Sequence, residues 1–67
     1  MKIQIRLPEN IIQYLIHSPE SGMGYQKVNL ILKNGRRITD VTVYNSSLAE
    51  IDEQINPETI AKAELIN

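Results

Sequence analysis

His17 is the single histidine of the chain, and Ser18, Glu20 and Ser21 follow close behind it. A hydroxyl nucleophile needs a base to take its proton, and the base needs a third group to orient it. These residues have the right types, but adjacency along a chain is not triad geometry. A histidine at the end of a short helix sits where the dipole favours a cation. That solvent-facing place is the one expected for His17, and the chain reads as a non-enzyme with no catalytic residues.

Two other patterns raise chemistry. Glu50, Asp52 and Glu53 are clustered carboxylates, and on a strand Glu50 and Asp52 would share a face. Calcium wants six or more oxygens, and the chain has no cysteine for a thiolate site. A solvated acidic face is expected, with no metal and no cofactor. Gly22-Met23-Gly24 suggests a phosphate loop. Phosphate cradles run from strand through loop to a helix N-terminus, where the dipole meets the anion. This loop runs from a helix toward a strand, the wrong order for a nucleotide.

Contact surfaces are better represented. Lys27, Lys33, Arg36 and Arg37 gather around Asn34-Gly35, with Tyr25 the ring nearest the base of that hairpin. Cations beside an aromatic could hold a single-stranded nucleic acid; charges on an edge also block unwanted strand pairing. In the stretch Ser18–Gln26, Met23 and Tyr25 are the apolar members. They are expected to fold back and seal one end of the core; the other arrangement would project them into a partner.

The elements that position these residues follow from periodicity. Ile3, Ile5 and Leu7 alternate with Lys2, Gln4 and Arg6, the pattern of a half-buried strand. Pro8 suits the first turn of a helix. Ile11, Ile12, Leu15 and Ile16 then recur at helical spacing, predicting a short amphipathic helix over residues 8–17. Ser18-Pro19 ends it. A second strand spans Gln26 to Lys33. Asn34-Gly35 signals a type I′ hairpin, which needs two residues at positive φ. The third strand, Arg36 to Tyr44, changes phase between Ile38 and Val41, predicting a bulge near Thr39-Asp40 and a sharp bend. Asn45-Ser46-Ser47 is a turn. Leu48 to Ile55 fits a helical face or a short fourth strand, and strand would complete the meander. For the C-terminal piece, Asn56 caps a turn with Pro57 at its first position. A single turn at 57–60 followed by a strand to Ile66 is favoured over one continuous helix.

A bent hairpin, a further strand, a proline-containing turn and a short final strand resemble a Src-homology-3-type small barrel over residues 26–66. In that fold a one-turn helix leads into the last strand, and INPETIAKAEL is similar to that junction. The family's polyproline binding does not carry over: it uses clustered aromatics including Trp. This chain has no Trp, and Tyr14, Tyr25 and Tyr44 are scattered.

The expected fold is thus mainly β with one short α-helix, in the order β-α-β-β-(β)-β. It is either a small, strongly bent antiparallel sheet or a five-stranded barrel, in a single domain over residues 1–67. A chain this short buries only about 60% of the surface its unfolded form exposes. Without cysteines, no disulfide can supplement its core. No leader and no apolar run near the roughly 20 residues of a membrane span is visible, so a soluble cytoplasmic protein with no membrane partner is expected. Charge is uneven: residues 1–37 carry six basic and two acidic side chains, and residues 38–67 carry one basic and six acidic. Such halves can steer association or pair within one fold, but a chance distribution of surface charge is the favoured reading, since exposed pairs contribute only about 0–1 kcal/mol each. Together these features predict a non-catalytic protein-interaction module that self-associates, with nucleic-acid binding by the basic 33–37 hairpin as the alternative. The expected contact surface is Met23, Tyr25, Lys27, Lys33, Arg36 and Arg37.

Overall fold

The structure, a computed structural model, describes residues 2–66. The chain runs through β1 (Ile3–Arg6), α1 (Glu9–Ile16), β2 (Tyr25–Leu32), β3 (Arg37–Tyr44) and β4 (Leu48–Ile51). One 3-10 turn (Pro57–Thr59) then leads into β5 (Ile60–Leu65). All pairings are antiparallel, in one sheet of order β1-β4-β3-β2-β5. Of the two arrangements expected, the open bent sheet is found: β1 and β5 each have one partner strand and do not close a barrel. The last strand lies against β2, with Leu30 opposite Ala63. No helix among the described residues is long and apolar enough to cross a membrane.

One face of the sheet carries the core. Val28, Leu30 and Leu32 of β2 meet Val41 and Val43 of β3, Ala49 and Ile51 of β4, and Ile60 and Ala63 of β5. Ile11, Ile12 and Leu15 of α1 cover them, in a cluster built wholly of aliphatic side chains. Pro8 stands just outside the helix rather than in its first turn, with φ −61° and ψ 153°. Its carbonyl accepts hydrogen bonds from the amides of Ile11 and Ile12, each at 3.0 Å. A helix of eight residues has too few bonds to persist alone; contact with the sheet holds it.

One polar side chain enters this core. Gln26 is 1% exposed, in phase with Val28 and Leu30. Its Nε2 donates to the carbonyl of Leu15 at 2.9 Å and to those of Ser18 and Pro19 at 3.3 Å. Its Oε1 accepts from Ser46 Oγ at 3.3 Å. The last carbonyls of a helix have no partner within it, so Gln26 serves as a side-chain cap that ties the end of α1 to β2.

The bend has a local cause. Val28 pairs with Val41 and Leu30 with Ile38, so Asn29 alone faces both Thr39 and Asp40. This is the bulge that the phase change predicted. Asp40 takes φ 56°, and its amide donates to Asn29 Oδ1 at 3.1 Å. Aspartate tolerates the left-handed region better than most residues because its short side chain is polar. A second irregularity lies between Ile31 and Leu32, where β5 carries the extra residue.

The turns exchange roles relative to expectation. At Asn34-Gly35 only Gly35 has positive φ, 92°. The amide of Gly35 donates to the carbonyl of Leu32 at 2.9 Å, and that of Leu32 to Arg36 at 2.8 Å. The loop is therefore three residues long, with glycine in the left-handed place, and not a two-residue type I′ turn. The paired positive φ values occur at Asn45 and Ser46, 53° and 59°. The fourth strand ends at Ile51, short of the expected Ile55, and an irregular segment leads to Asn56. There Asn56 Oδ1 accepts from the amide of Glu58 at 3.0 Å, the cap read from the sequence.

Candidate interaction surface

The expected contact residues fall into two groups. Tyr25 and Lys27 begin β2, on the face that α1 leaves uncovered, opposite Tyr44 and Thr42 of β3. Lys33, Arg36 and Arg37 lie at the other end of the hairpin. Tyr25 and Lys33 are eight positions apart along the strand, roughly 26 Å at the usual rise. The hairpin-tip cations Lys33, Arg36 and Arg37 therefore do not share one patch with the Tyr25 ring, beside which only Lys27 of the expected cations lies.

Three of these four cations are also engaged. The Arg36 guanidinium forms a fork with the Glu53 carboxylate, Nη1 to Oε1 at 2.6 Å and Nη2 to Oε2 at 2.7 Å. Glu53's hydrogen bond, and then its charge, push the Arg36 pKa further up. Arg37 Nη2 meets Glu64 at 2.9 Å, and Lys27 Nζ meets Asp40 at 3.4 Å. These three pairs join the basic half of the chain to the acidic half. The charge asymmetry is thus used within one fold, although exposed pairs of this kind contribute only about 0–1 kcal/mol each.

The loop before β2 is a connector with one projecting side chain. Ser21 Oγ accepts from the Lys27 amide at 2.8 Å, and the Ser21 amide donates to the Tyr25 carbonyl at 3.0 Å. The Tyr25 ring lies over Gly22, where a Cβ would overlap it. Met23 does not seal the core, contrary to expectation: it is 98% exposed. Gly24 at φ 82° turns the chain into β2 immediately afterwards, which carries Met23 outward.

The residues with catalytic types are occupied otherwise. His17 follows α1 as its exposed C-cap. Ser18 Oγ donates to the Tyr14 carbonyl at 2.7 Å, and Ser21 Oγ holds the Lys27 amide. Glu50 lies on the uncovered face between Gln4 and Thr42, while Glu53 is held by Arg36. Among the described residues no group of three or more His, Cys, Asp or Glu is placed to hold a metal ion. A cleft of about 270 Å³ runs between Pro19-Glu20-Ser21 and Leu65-Ile66. It falls below the roughly 300–1,000 Å³ of ordinary ligand pockets.

The surface that periodicity did not mark is the outer border of β5. The Ile66 amide donates to the Lys27 carbonyl at 2.9 Å. In an antiparallel ladder alternate residues face the same neighbour. Lys62 and Glu64 therefore bond toward β2, and the backbone groups of Ala63 and Leu65 point away from it. Of the residues along this border, Ala61 is small and exposed, while Ala63 is buried and Leu65 half-buried against the core. The alternation of residues 60–66 was visible in the sequence; its place at the border depended on which strand it chose. No known family model, curated protein or solved structure matches the chain.

Proposed function

We propose that this chain is a non-catalytic protein-interaction module whose partner is a second copy of itself. The observation that carries the reading is the unpaired border of β5, with the amides and carbonyls of Ala63 and Leu65 turned away from the sheet. An unpaired strand is a template for another strand. Two further facts support it. A domain of 67 residues with no cysteine has little reserve of stability, and joining a second copy adds to it by mass action. Met23, Tyr14 and Ile16 are exposed apolar side chains beyond what the core uses.

Sedimentation equilibrium across about 1 to 300 μM tests the reading. The expected result is a weight-average mass that climbs from the monomer's 7.6 kDa toward twice that value. A mass that stays at the monomer value throughout overturns it.

A further inference from the structure

We propose that two copies join through β5, antiparallel and two-fold symmetric about Ala63, so that their sheets continue into one. The inference rests on the self-association reading above and gives it a site and a register.

Hydrogen bonding limits the choices. Ala63 and Leu65, with Ala61 beside the bulge, turn backbone groups outward on the regular part of the strand. A two-fold axis at Ala63 pairs that residue with its own copy and sets Ala61 against the other copy's Leu65. Those contacts are small against medium-sized apolar side chains, with Leu65 already half-buried against the core. Between them, Lys62 stands opposite the other copy's Glu64, and Glu64 opposite its Lys62. These fall at non-hydrogen-bonded pairs, where side chains approach most closely. Opposite charges directly across strands attract, and like charges repel.

Charge then selects the register. Moving the axis one residue either way sets Lys62 against Lys62, or Glu64 against Glu64. Within one chain Lys62 Nζ already lies 3.6 Å from Glu64 and Arg37 holds the same carboxylate, so the acid and base are in place on the outer face. The other border lacks this self-complementarity. β1 carries Lys2, Gln4 and Arg6 on its outer face, and Pro8 behind them has no amide hydrogen. Two such borders would set Lys2 and Arg6 of one copy near those of the other, with Glu9 at 3.6 Å from each Arg6 to offset them. Pairing β1 of one copy with β5 of the next is heterologous and leaves free ends that grow into filaments, whereas the β5 pair closes on itself.

Two charge reversals test the assignment. Lys62→Glu alone gives acid against acid across the axis, and Glu64→Lys alone gives base against base. Each is expected to self-associate at least about tenfold more weakly than the wild type by sedimentation. An equimolar mixture restores both attractions, so a mixed dimer of near wild-type strength is expected. Far-UV circular dichroism establishes that each variant is folded. If Glu64→Lys unfolds for want of its Arg37 pairing, Lys62→Glu alone decides: a folded monomer supports the assignment. Wild-type dimerisation by Lys62→Glu, or folded variants whose mixture stays monomeric, overturns the β5 site while leaving self-association standing. A wild-type chain that never dimerises removes the underlying reading instead.

Discussion

Gln26→Glu unfolds the domain at pH 7. The glutamine amide nitrogen faces three carbonyl oxygens, those of Leu15, Ser18 and Pro19, at 2.9 to 3.3 Å. A carboxylate there has no hydrogen to give, and its charge is buried against the negative ends of three dipoles. An uncompensated buried charge costs about 3–5 kcal/mol, comparable with the ~3–5 kcal/mol that a core this small supplies. The penalty depends on pH with a definite sign. Burial and the facing carbonyls raise the folded-state pKa of the introduced carboxyl above its ordinary value of about 4.3. The folded form then binds more protons than the unfolded one. Stability is greatest below about pH 4 and falls as pH rises through the folded pKa. Gln26→Leu is the control: it removes the side-chain hydrogen bonds to the Leu15, Ser18 and Pro19 carbonyls, with Leu15 keeping the Ser18 amide at 3.1 Å, costs about 1–3 kcal/mol, and adds no titration. Thermal unfolding of both variants from pH 4 to pH 7 checks the account. Equal melting temperatures for the two at pH 7 would contradict it.

Leu30→Ala produces a loss of the same order by a different route. Leu30 is fully buried at the centre of β2, opposite Ile38 on one side and Ala63 on the other. Truncating such a side chain removes transfer energy and leaves a cavity, together about 2–5 kcal/mol. The next residue provides the comparison. Ile31 is the same size but lies on the uncovered face and is only half-buried. Urea unfolding is expected to show a clear transition for Ile31→Ala and little or no folded baseline for Leu30→Ala. Similar midpoints for the two would mean that the helix does not cover the face assigned to it.

The two positions show what could be read from the sequence. Alternation is a local property, so Ile3 and Ile5, or Val28 and Leu30, marked strands without knowledge of their neighbours. The bulge at Thr39-Asp40 was legible for the same reason, because the slip from Ile38 to Val41 is itself a local irregularity. Gln26 was missed although its signal was present. It is in phase with Val28, Leu30 and Leu32, and a polar residue in that phase must find partners inside. The turn types were misassigned because Asn-Gly favours positive φ without fixing loop length. One extra residue at the tip left Gly35 alone in that region, while Asn45-Ser46 adopted the paired geometry.

Non-local choices were out of reach. Nothing near Ile60 in sequence says that β5 lies beside β2 rather than β1 or β3. Only the packing of the finished sheet decides, and that decision makes β5 a border. The cations of the hairpin were legible as a cluster, but their partners were not. Glu53 and Glu64 are distant in sequence from Arg36 and Arg37, and only the fold joins them. The expected surface was drawn from side chains alone, of which Lys33, Arg36 and Arg37 are exposed and Tyr25 and Lys27 half-buried, and it was silent about the backbone groups along β5.

Amide hydrogen exchange along β5 tests the central claim most directly. At a concentration where the chain is monomeric, the amides of Lys62, Glu64 and Ile66 should be protected by β2, and those of Ala63 and Leu65 should exchange freely. Raising the concentration should slow Ala63 and Leu65 and leave their neighbours little changed. Uniform protection of all five amides in the dilute chain, or free exchange of all five, would contradict a one-sided border strand.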